Sequence, residues 1–362
     1  MKTNNQISSA QFLFIIFQTQ VGVGVLSLSA NLYSEAGKDG WITLLVAGIG
    51  FEIAVFIIYF LSKRFSTSTI YEYASKVVGR PIGLLISIGY IVFACVTAIL
   101  VMELFDTTIK NWILLRTPSW AILMLLAITG TYLALGKLKV IGRFDQFVSF
   151  LIIPLVFMVA YTLKEADLRY ILPIGQQGLG PIIKTIPQGF FSMIGFEMAL
   201  FVFPYLQNKG KKALISLTLS NIAATTFYSF LTFSTFVVLS PKQLEMLPDP
   251  IVYVLKGTPF QLVDRVDLLF LSIWTVAVLT SFVSYLYIAA IGVKHLTKRK
   301  NKKWPVIFTS LVIFILAVLP HDTYTIEILS GYQAKASYFF VLGIPLVLLI
   351  VSVIFKKKEE AA

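Results

Sequence analysis

Gln18-Thr19-Gln20-Val21-Gly22-Val23-Gly24-Val25-Leu26-Ser27 decides how the rest of this chain is read. Long apolar sequence flanks it on both sides, so the two glycines fall in the middle of a candidate membrane span. No water is available at that depth, and a backbone that leaves the helix there must find partners inside the protein or around a ligand cavity. Glycine permits the departure and removes side chains that would block an approaching molecule. In transporter folds an interrupted helix at mid-depth marks a substrate or ion site. Close packing of two helices through small residues would give the same Gly-Val-Gly pattern, so the pair alone leaves both readings open.

Composition sets the class. Of 362 residues, 57% are hydrophobic and only 13% are charged, whereas soluble domains carry about 25% charged residues. Mean hydropathy is +0.84, and the apolar residues come in long runs, not amphipathic stripes. That pattern is an all-α, multi-pass membrane protein. The net charge of +12 is no sign of nucleic acid, because Lys and Arg gather in short loops between apolar runs, as membrane topology requires. Cys95 stands alone, so an intrachain disulfide is impossible; His295 and His321 lack metal-ligand spacing. No nucleotide loop, metal helix or paired carboxylates of a soluble domain is visible. The expectation is neither an enzyme nor a cofactor protein, with any transport driven by gradients or partners. The short polar start, Met1 to Ser9, reads as no removable signal peptide.

Each apolar run of about 20 residues can cross a bilayer. Runs at Ala10–Tyr33, Gly40–Leu61, Pro81–Phe105, Pro118–Leu135 and Gly142–Leu163 predict five spans. Runs at Ile186–Leu206, Ala213–Leu239, Leu268–Val293, Trp304–Leu319 and Ala336–Phe355 predict five more. With ten spans, 20 of the 30 Lys and Arg residues fall on the side of the termini and ten on the other. The positive-inside rule then makes both termini cytoplasmic, and a missed span would scramble the alternation. Eleven of the 18 acidic residues fall in outer loops, four on the inner side or at its edge (Asp145 among them, at the start of span 5), and three deep inside spans: Glu52, Glu103 and Glu197. The proline-rich segment Ser240 to Asp267 predicts an irregular or partly helical outer cap. Thr69–Val78 is short and amphipathic, suited to the cytoplasmic interface.

Ten spans divide into two sets of five with opposite orientation, about 10–163 and 186–355, forming one membrane domain. Span 6 holds its own interruption, Pro187-Gln188-Gly189-Phe190-Phe191-Ser192-Met193-Ile194-Gly195-Phe196-Glu197. Spans 5 and 10 carry Pro154 and Pro345 in matching Ile-Pro-Leu-Val settings. Paired interruptions in corresponding spans predict a 5+5 inverted repeat with discontinuous helices 1 and 6.

Such breaks expose N–H groups, which suit a carboxylate, and C=O groups, which suit an ammonium or cation. An amino-acid zwitterion needs both. The candidate carboxylate donors are Gly22, Val23, Gly24 and Val25; the candidate carbonyls lie near Phe191, Ser192 and Ile194, with Gly195 and Phe196 completing the span 6 break. Glu197 is the sharpest side chain, since a carboxylate at bilayer centre costs about 2.5–3.5 kcal/mol on insertion scales. It would pair with a ligand ammonium, take up a proton, or bond the loose end of span 1. Glu103 lies near the outer end of span 3. Glu52, midway along span 2, is either a helix-packing hydrogen bond or a lining group. Tyr90, Phe93, Ala94 and Thr97 share one face of span 3. In span 8, Thr275, Ser281 and Ser284 supply hydroxyls beside Trp274 and Tyr285. With carbonyls near Val21, hydroxyls such as Thr275 would suit sodium; helix-to-helix hydrogen bonding uses the same residues.

Gln11 and Gln20-Val-Gly-Val-Gly-Val-Leu-Ser-Leu, followed by Ala36-Gly37-Lys38-Asp39-Gly40-Trp41, resemble the endospore germination permeases. So do Ile171-Leu-Pro-Ile-Gly, Gly180-Pro181, Gly195-Phe-Glu197 and Pro204. These permeases are the B subunits of nutrient germinant receptors, within the amino acid–polyamine–organocation superfamily. The resemblance implies a leucine-transporter-type fold in the lipid of the inner spore membrane. It implies a small germinant, an amino acid or similar, and partnership with a membrane-embedded A subunit and a lipoprotein C subunit. By position it puts Gly22, Gly24, Gly195 and Glu197 at the pocket. Span 5 lacks the interior lysine of proton-coupled relatives. The alternative function is a gradient-driven amino-acid symporter acting alone; an ion or water conduit is a third class.

Overall fold

The computed structural model describes residues 5–175, 178–260, 263–319 and 323–359; Lys2 and His321 lie outside them. Regular structure among these residues is helical, apart from one isolated parallel bridge between Ile7 and Leu206. The first repeat begins with α1 (Ser9–Gln20) and α2 (Leu28–Ala36), two halves of one span. It continues with α3 (Gly40–Arg64), the short α4 (Ile70–Val78), α5 (Arg80–Trp112), α6 (Ser119–Leu135) and α7 (Leu138–Thr162). The second repeat opens on another divided span, α8 (Leu179–Ser192) and α9 (Ala199–Val202). Then come α10 (Lys211–Val238), the outer helices α11 (Pro241–Met246) and α12 (Pro250–Gly257), α13 (Val266–Leu296) and α14 (Lys303–Val318). The last span joins α15 (Thr323–Ser337) to α16 (Ile344–Ile354) through a π-helical turn at Tyr338–Gly343.

Among the described residues, six stretches are long and apolar enough to cross a bilayer: Leu28–Arg64, Arg80–Trp112, Leu138–Glu165, Lys211–Val238, Val266–Leu296 and Tyr324–Ile354. The first bends at Gly37–Asp39, which separates α2 from α3. α6 and α14 are shorter but apolar, and about 1.5 Å per residue carries each most of the way through a core of about 30 Å. The packing follows the repeat: span 2 (α3) lies against span 7 (α10), and span 3 (α5) against span 8 (α13). An in-plane pseudo-twofold axis pairs equivalent spans in this way. α1 is wrapped by α7, α10 and α13.

Several boundaries differ from the sequence reading, among them the end of span 3 at Trp112 and the starts of spans 5, 6 and 10. Span 6 begins at Leu179, not Ile186, because Pro181 sits in the first turn, where a missing N–H costs nothing. Span 10 begins at Thr323, not Ala336. Glu327, Gln333 and Lys335 depress its hydropathy, yet Gln333 is buried and its amide donates to Phe93 O (3.1 Å) and to the Thr97 hydroxyl. A fourth carboxylate joins the three deep inside spans: because α7 starts at Leu138 and not Gly142, Asp145 lies two turns into it and is fully buried. Glu52 takes the helix-packing alternative. It accepts from Thr218 Oγ1 (2.5 Å) and Asn221 Nδ2 (2.8 Å) and ties α3 to α10.

Both chain ends dock on one face. Ile7 N donates to Tyr205 O (2.9 Å), Gln207 N donates to Ile7 O (3.1 Å), and Glu359 N donates to Arg64 O (3.1 Å). An even number of spans is the topological consequence. On the same face α4 buries Ile70, Tyr71, Tyr73, Ala74 and Val77 against α5, with a Thr69–Glu72 capping box at its start. The expected partly helical outer cap is α11 and α12.

The Glu359 carboxylate accepts from the Thr67 amide and hydroxyl (both 2.8 Å) and from the Ser68 hydroxyl, with Lys76 3.6 Å away. Burial opposes its charge, but the Ser68 and Thr67 hydrogen bonds, helped by Lys76, win and hold the carboxyl below the usual Glu range. A depressed carboxyl contributes stability above its unfolded value and loses it as pH falls through the folded one. The Thr67 amide is therefore expected to stay protected from hydrogen exchange until the pH drops below the ordinary Glu range. Glu359→Ala should remove that protection at every pH.

Candidate functional site

α1 ends at Gln20. Val21 is extended, Gly22 follows at φ −133° and ψ −150°, and Val23–Val25 forms a single 3₁₀ turn before α2 begins. Such a turn commits the Val25 N–H to the Gly22 carbonyl. The amides of Val23 and Gly24 have no partner among the described residues. The Gly22 N–H is taken: it donates to Tyr228 Oη (3.4 Å), whose own O–H donates to Gln20 O (2.9 Å). Tyr228 on α10 thus holds both sides of the break.

α8 ends at Ser192, and the chain reopens as a 3₁₀ turn at Phe196–Met198. Between them Gly195 adopts φ 141°, a conformation open to glycine and strained for other residues. A Cβ there would stand 2.6 Å from Gln20 N and Thr19 C. The opened turn of span 6 therefore lies directly on the opened end of α1. Gln20 Nε2 adds a bond to Met193 O (3.2 Å) across the same junction. A Cβ on Gly24 would meet Ser192 at 3.1–3.2 Å, so the two breaks also touch on the outer side of the junction.

α13 closes the third wall. Ser281 Oγ lies 3.2–3.3 Å from the carbonyls of Gln18, Thr19 and Val21. Thr280 Oγ1 donates to Gln18 Oε1 (3.0 Å), and Thr19 Oγ1 lies 2.8 Å from Ser284 Oγ. The Ser281 hydroxyl thus offers its one proton to carbonyls that the end of α1 leaves without helical donors, while Thr280 and Ser284 bond the Gln18 and Thr19 side chains.

A cavity of about 50 Å³ lies where the elements meet. Gly22, Val23, Gly24, Thr97, Ser192 and Ser281 of the sequence-predicted set line it, together with Thr19, Gln20, Leu100, Val101, Leu104, Ile194 and Tyr285. Other expected residues stand elsewhere. Val25 is buried in the 3₁₀ turn away from the space. Tyr90 Oη donates to Phe340 O (2.6 Å), and Phe93 stacks on Phe340 with centroids 5.0 Å apart. Both pack span 3 on span 10. Gly195 is the contact with α1, and Phe196 packs against Phe51 and Phe190.

Of the roles the sequence suggests for Glu197, the bond to the loose end of span 1 is not made: the carboxyl is not among the groups lining the cavity, and its partners lie elsewhere. Its Oε2 accepts from Gly195 N (2.7 Å) and its Oε1 from Tyr285 Oη (2.9 Å). The carboxylate braces its own opened turn and anchors that turn to α13. The sodium reading near Val21 and Thr275 is corrected too. Thr275 donates to Leu271 O one turn back (2.9 Å), and its place six residues before Ser281 puts it about 9 Å along the axis. Ser281 occupies the Val21 carbonyl instead.

Sequence reasoning missed Gln20 and Tyr228. The buried Gln20 Oε1 has no partner among the described residues, and the residue lines the cavity. A buried acceptor without a donor is costly.

The chain matches the family described as spore germination protein (spore permease) over residues 6–326 and belongs to it. Spore germination protein GerQB of Bacillus cereus is 25% identical over 337 residues, 93% of this chain and 92% of that one. Spore germination protein YndE of Bacillus subtilis (strain 168) is 25% identical over 361 residues, 98% of this chain and 99% of that one. Among solved structures, MhsT in complex with L-phenylalanine superimposes with a TM-score of 0.68 at 16% identity, covering 96% of this chain and 89% of that one. The likeness establishes the leucine-transporter-type fold.

Gly195→Ala should lower thermal stability by at least about 2 kcal/mol, since strain at positive φ adds to a backbone collision. Glu197→Gln keeps one acceptor for two donors and should cost about 1–3 kcal/mol. A melting series on purified chain checks both, and equal stability of either variant with wild type would contradict the bracing role.

Proposed function

We propose that this chain is the membrane subunit of a spore nutrient germinant receptor, and that it binds a small germinant between the breaks of spans 1 and 6. The paired breaks around one cavity carry this reading. The free amides of Val23 and Gly24 suit a carboxylate at the positive end of a half-helix. The carbonyl end of α8 at Ser192 and Ile194, with Gln20 Oε1, suits an ammonium. An α-amino acid carries both groups on one carbon, and a protein of the same fold holds L-phenylalanine. Binding shifts the balance between packings of the two repeats, and partner subunits read that shift. The A subunit and lipoprotein C subunit belong to this reading, as do the inner spore membrane and cytoplasmic termini.

The cavity volume adds a size rule. Water occupies about 30 Å³ and a benzene-sized guest about 150 Å³, so 50 Å³ admits little without movement of the walls. Glycine and L-alanine should therefore bind better than L-phenylalanine. Val101→Ala on α5 should narrow that difference by on the order of tenfold, the usual worth of one or two methyl groups in a pocket. Equilibrium binding to the full chain in lipid nanodiscs measures it, and an unchanged preference would count against Val101 as a wall.

Gly24→Leu should abolish the germination response of spores while leaving the membrane level of the protein near normal, because the side chain fills the space beside Ser192. An intact response removes span 1 from the site. The second reading is a gradient-driven amino-acid symporter, favoured by the transporter fold. Uptake of labelled L-alanine into vesicles holding this chain alone would support it over the receptor.

A further inference from the structure

The most exceptional charged group in the spans plays no part in the cavity. Asp145 on α7 is fully buried, and neither carboxylate oxygen has a hydrogen-bond partner among the described residues. Along α7 it lies between Gly142, where a Cβ would meet Gln11 and Ile15, and Ser149, which bonds Gln18, so this side of α7 faces the seam with α1; α13 packs on both helices. One turn further along α7, Ser149 Oγ donates to Asp145 O (2.7 Å) and accepts from Gln18 Nε2 (2.9 Å). Gln18 Oε1 accepts from Thr280, and the Gln18 carbonyl lies 3.2 Å from Ser281 Oγ, which lines the cavity. A chain of polar groups thus runs from the break in span 1 to the helical turn that carries Asp145. That turn lies between the cavity and the face where the termini dock.

We infer that Asp145 is a proton-binding site whose occupancy is tied to the seating of α1 on α7 and α13. An ionised carboxylate in this seam would be neither solvated nor paired. A metal ion would demand several oxygen ligands, and among the described residues no group of three or more His, Cys, Asp or Glu side chains stands ready to hold one. A proton needs no such set. Each element packed against α7 leaves the carboxyl without a counter-charge. α1 has no ionisable side chain from Ser9 to Gln20, and α6 brings only Tyr132. α10 holds Lys211 and Lys212 in its first turn and Tyr228 at the break. α12 offers Tyr253 and Lys256 in the outer cap. α13 has Asp267 at its start, Tyr285 and Tyr287 along its length, and Lys294 and His295 in its last turn. On α7 itself Arg143 is exposed, Lys139 is part-exposed and Tyr161 stands at the far end.

Seated α1 keeps the proton on Asp145. When the three helices part, water reaches the carboxyl, the proton leaves to solvent and the resulting carboxylate is hydrated. Rising pH therefore favours the parted arrangement. The link to ligand rests on the proposed site in the span 1 break, because Gln18 and Ser281 belong to both.

The test uses the full chain in lipid nanodiscs. Infrared spectra at neutral pH should show the carbonyl stretch of a buried carboxylic acid, absent in Asp145→Asn and retained in Glu197→Gln. As the pH rises, loss of that band should accompany faster hydrogen exchange in Gln11–Gln18, after correction for the intrinsic rate. In Asp145→Asn, α1 should stay protected across the range. Asp145→Glu should keep a band at a shifted position, which covers failure of the Asn variant to fold. A spectrum unchanged by Asp145→Asn, or equal pH dependence of α1 protection in that variant, overturns the proposal. L-alanine titrations separate the two readings. A wild-type chain that shows the band and the protection change but binds no L-alanine at any pH overturns the ligand site and leaves the proton site standing. L-alanine binding whose pH dependence is the same in wild type and Asp145→Asn overturns the coupling.

Discussion

The structure depends on one backbone contact in the membrane interior, where Gly195 rests against the peptide between Thr19 and Gln20. Two helices that stop at mid-depth leave donors and acceptors facing hydrocarbon, a state that a bilayer does not tolerate. Placing the two stops together lets each supply partners for the other. Gln20 reaches across to Met193, Tyr228 bridges Gln20 and Gly22, and Ser281 takes up the carbonyls at the end of α1. What remains unsatisfied, the amides of Val23 and Gly24 and the Gln20 side-chain oxygen, surrounds the cavity.

Polar ties matter more here than apolar burial. Lipid tails compete with neighbouring helices for apolar surface, so hydrogen bonds and close packing decide which helices meet. Glu52 with Thr218 and Asn221 joins spans 2 and 7, and Gln333 with Thr97 and Phe93 joins spans 10 and 3. Individually such bonds contribute about 0.6 kcal/mol on average. They are directional, and together they fix the orientation of each repeat.

Much of the architecture is legible in the residues. Glycine where a helix should be continuous marks both breaks, and the alternation of Lys and Arg between loops counts the spans. The amphipathic stretch at Thr69–Val78 announces α4. Side-chain partnerships are less legible, because they join residues far apart in sequence. Nothing local to Glu197 indicates that its partners are its own turn and Tyr285, 88 residues away. Tyr228 looks like one aromatic residue among many until α10 brings it to the break. Asp145 hides for another reason. With Lys137, Lys139 and Arg143 beside it and the predicted span starting at Gly142, it reads as lying at the span's edge, whereas α7 already runs from Leu138 and carries it well inside. The polar start of span 10 misleads in the same way, since hydropathy cannot tell a polar residue turned inward from one in water.

The narrowness of the central cavity bears on the kinetics of capture. On the proposed reading, a solute larger than this space of about 50 Å³ is seated only when a fluctuation separates the walls. At high solute concentration the observed rate of occupancy then levels off at the frequency of that fluctuation instead of rising in proportion. A molecule once enclosed leaves on the same clock, and a brief exposure can thereby outlast the solution that delivered it.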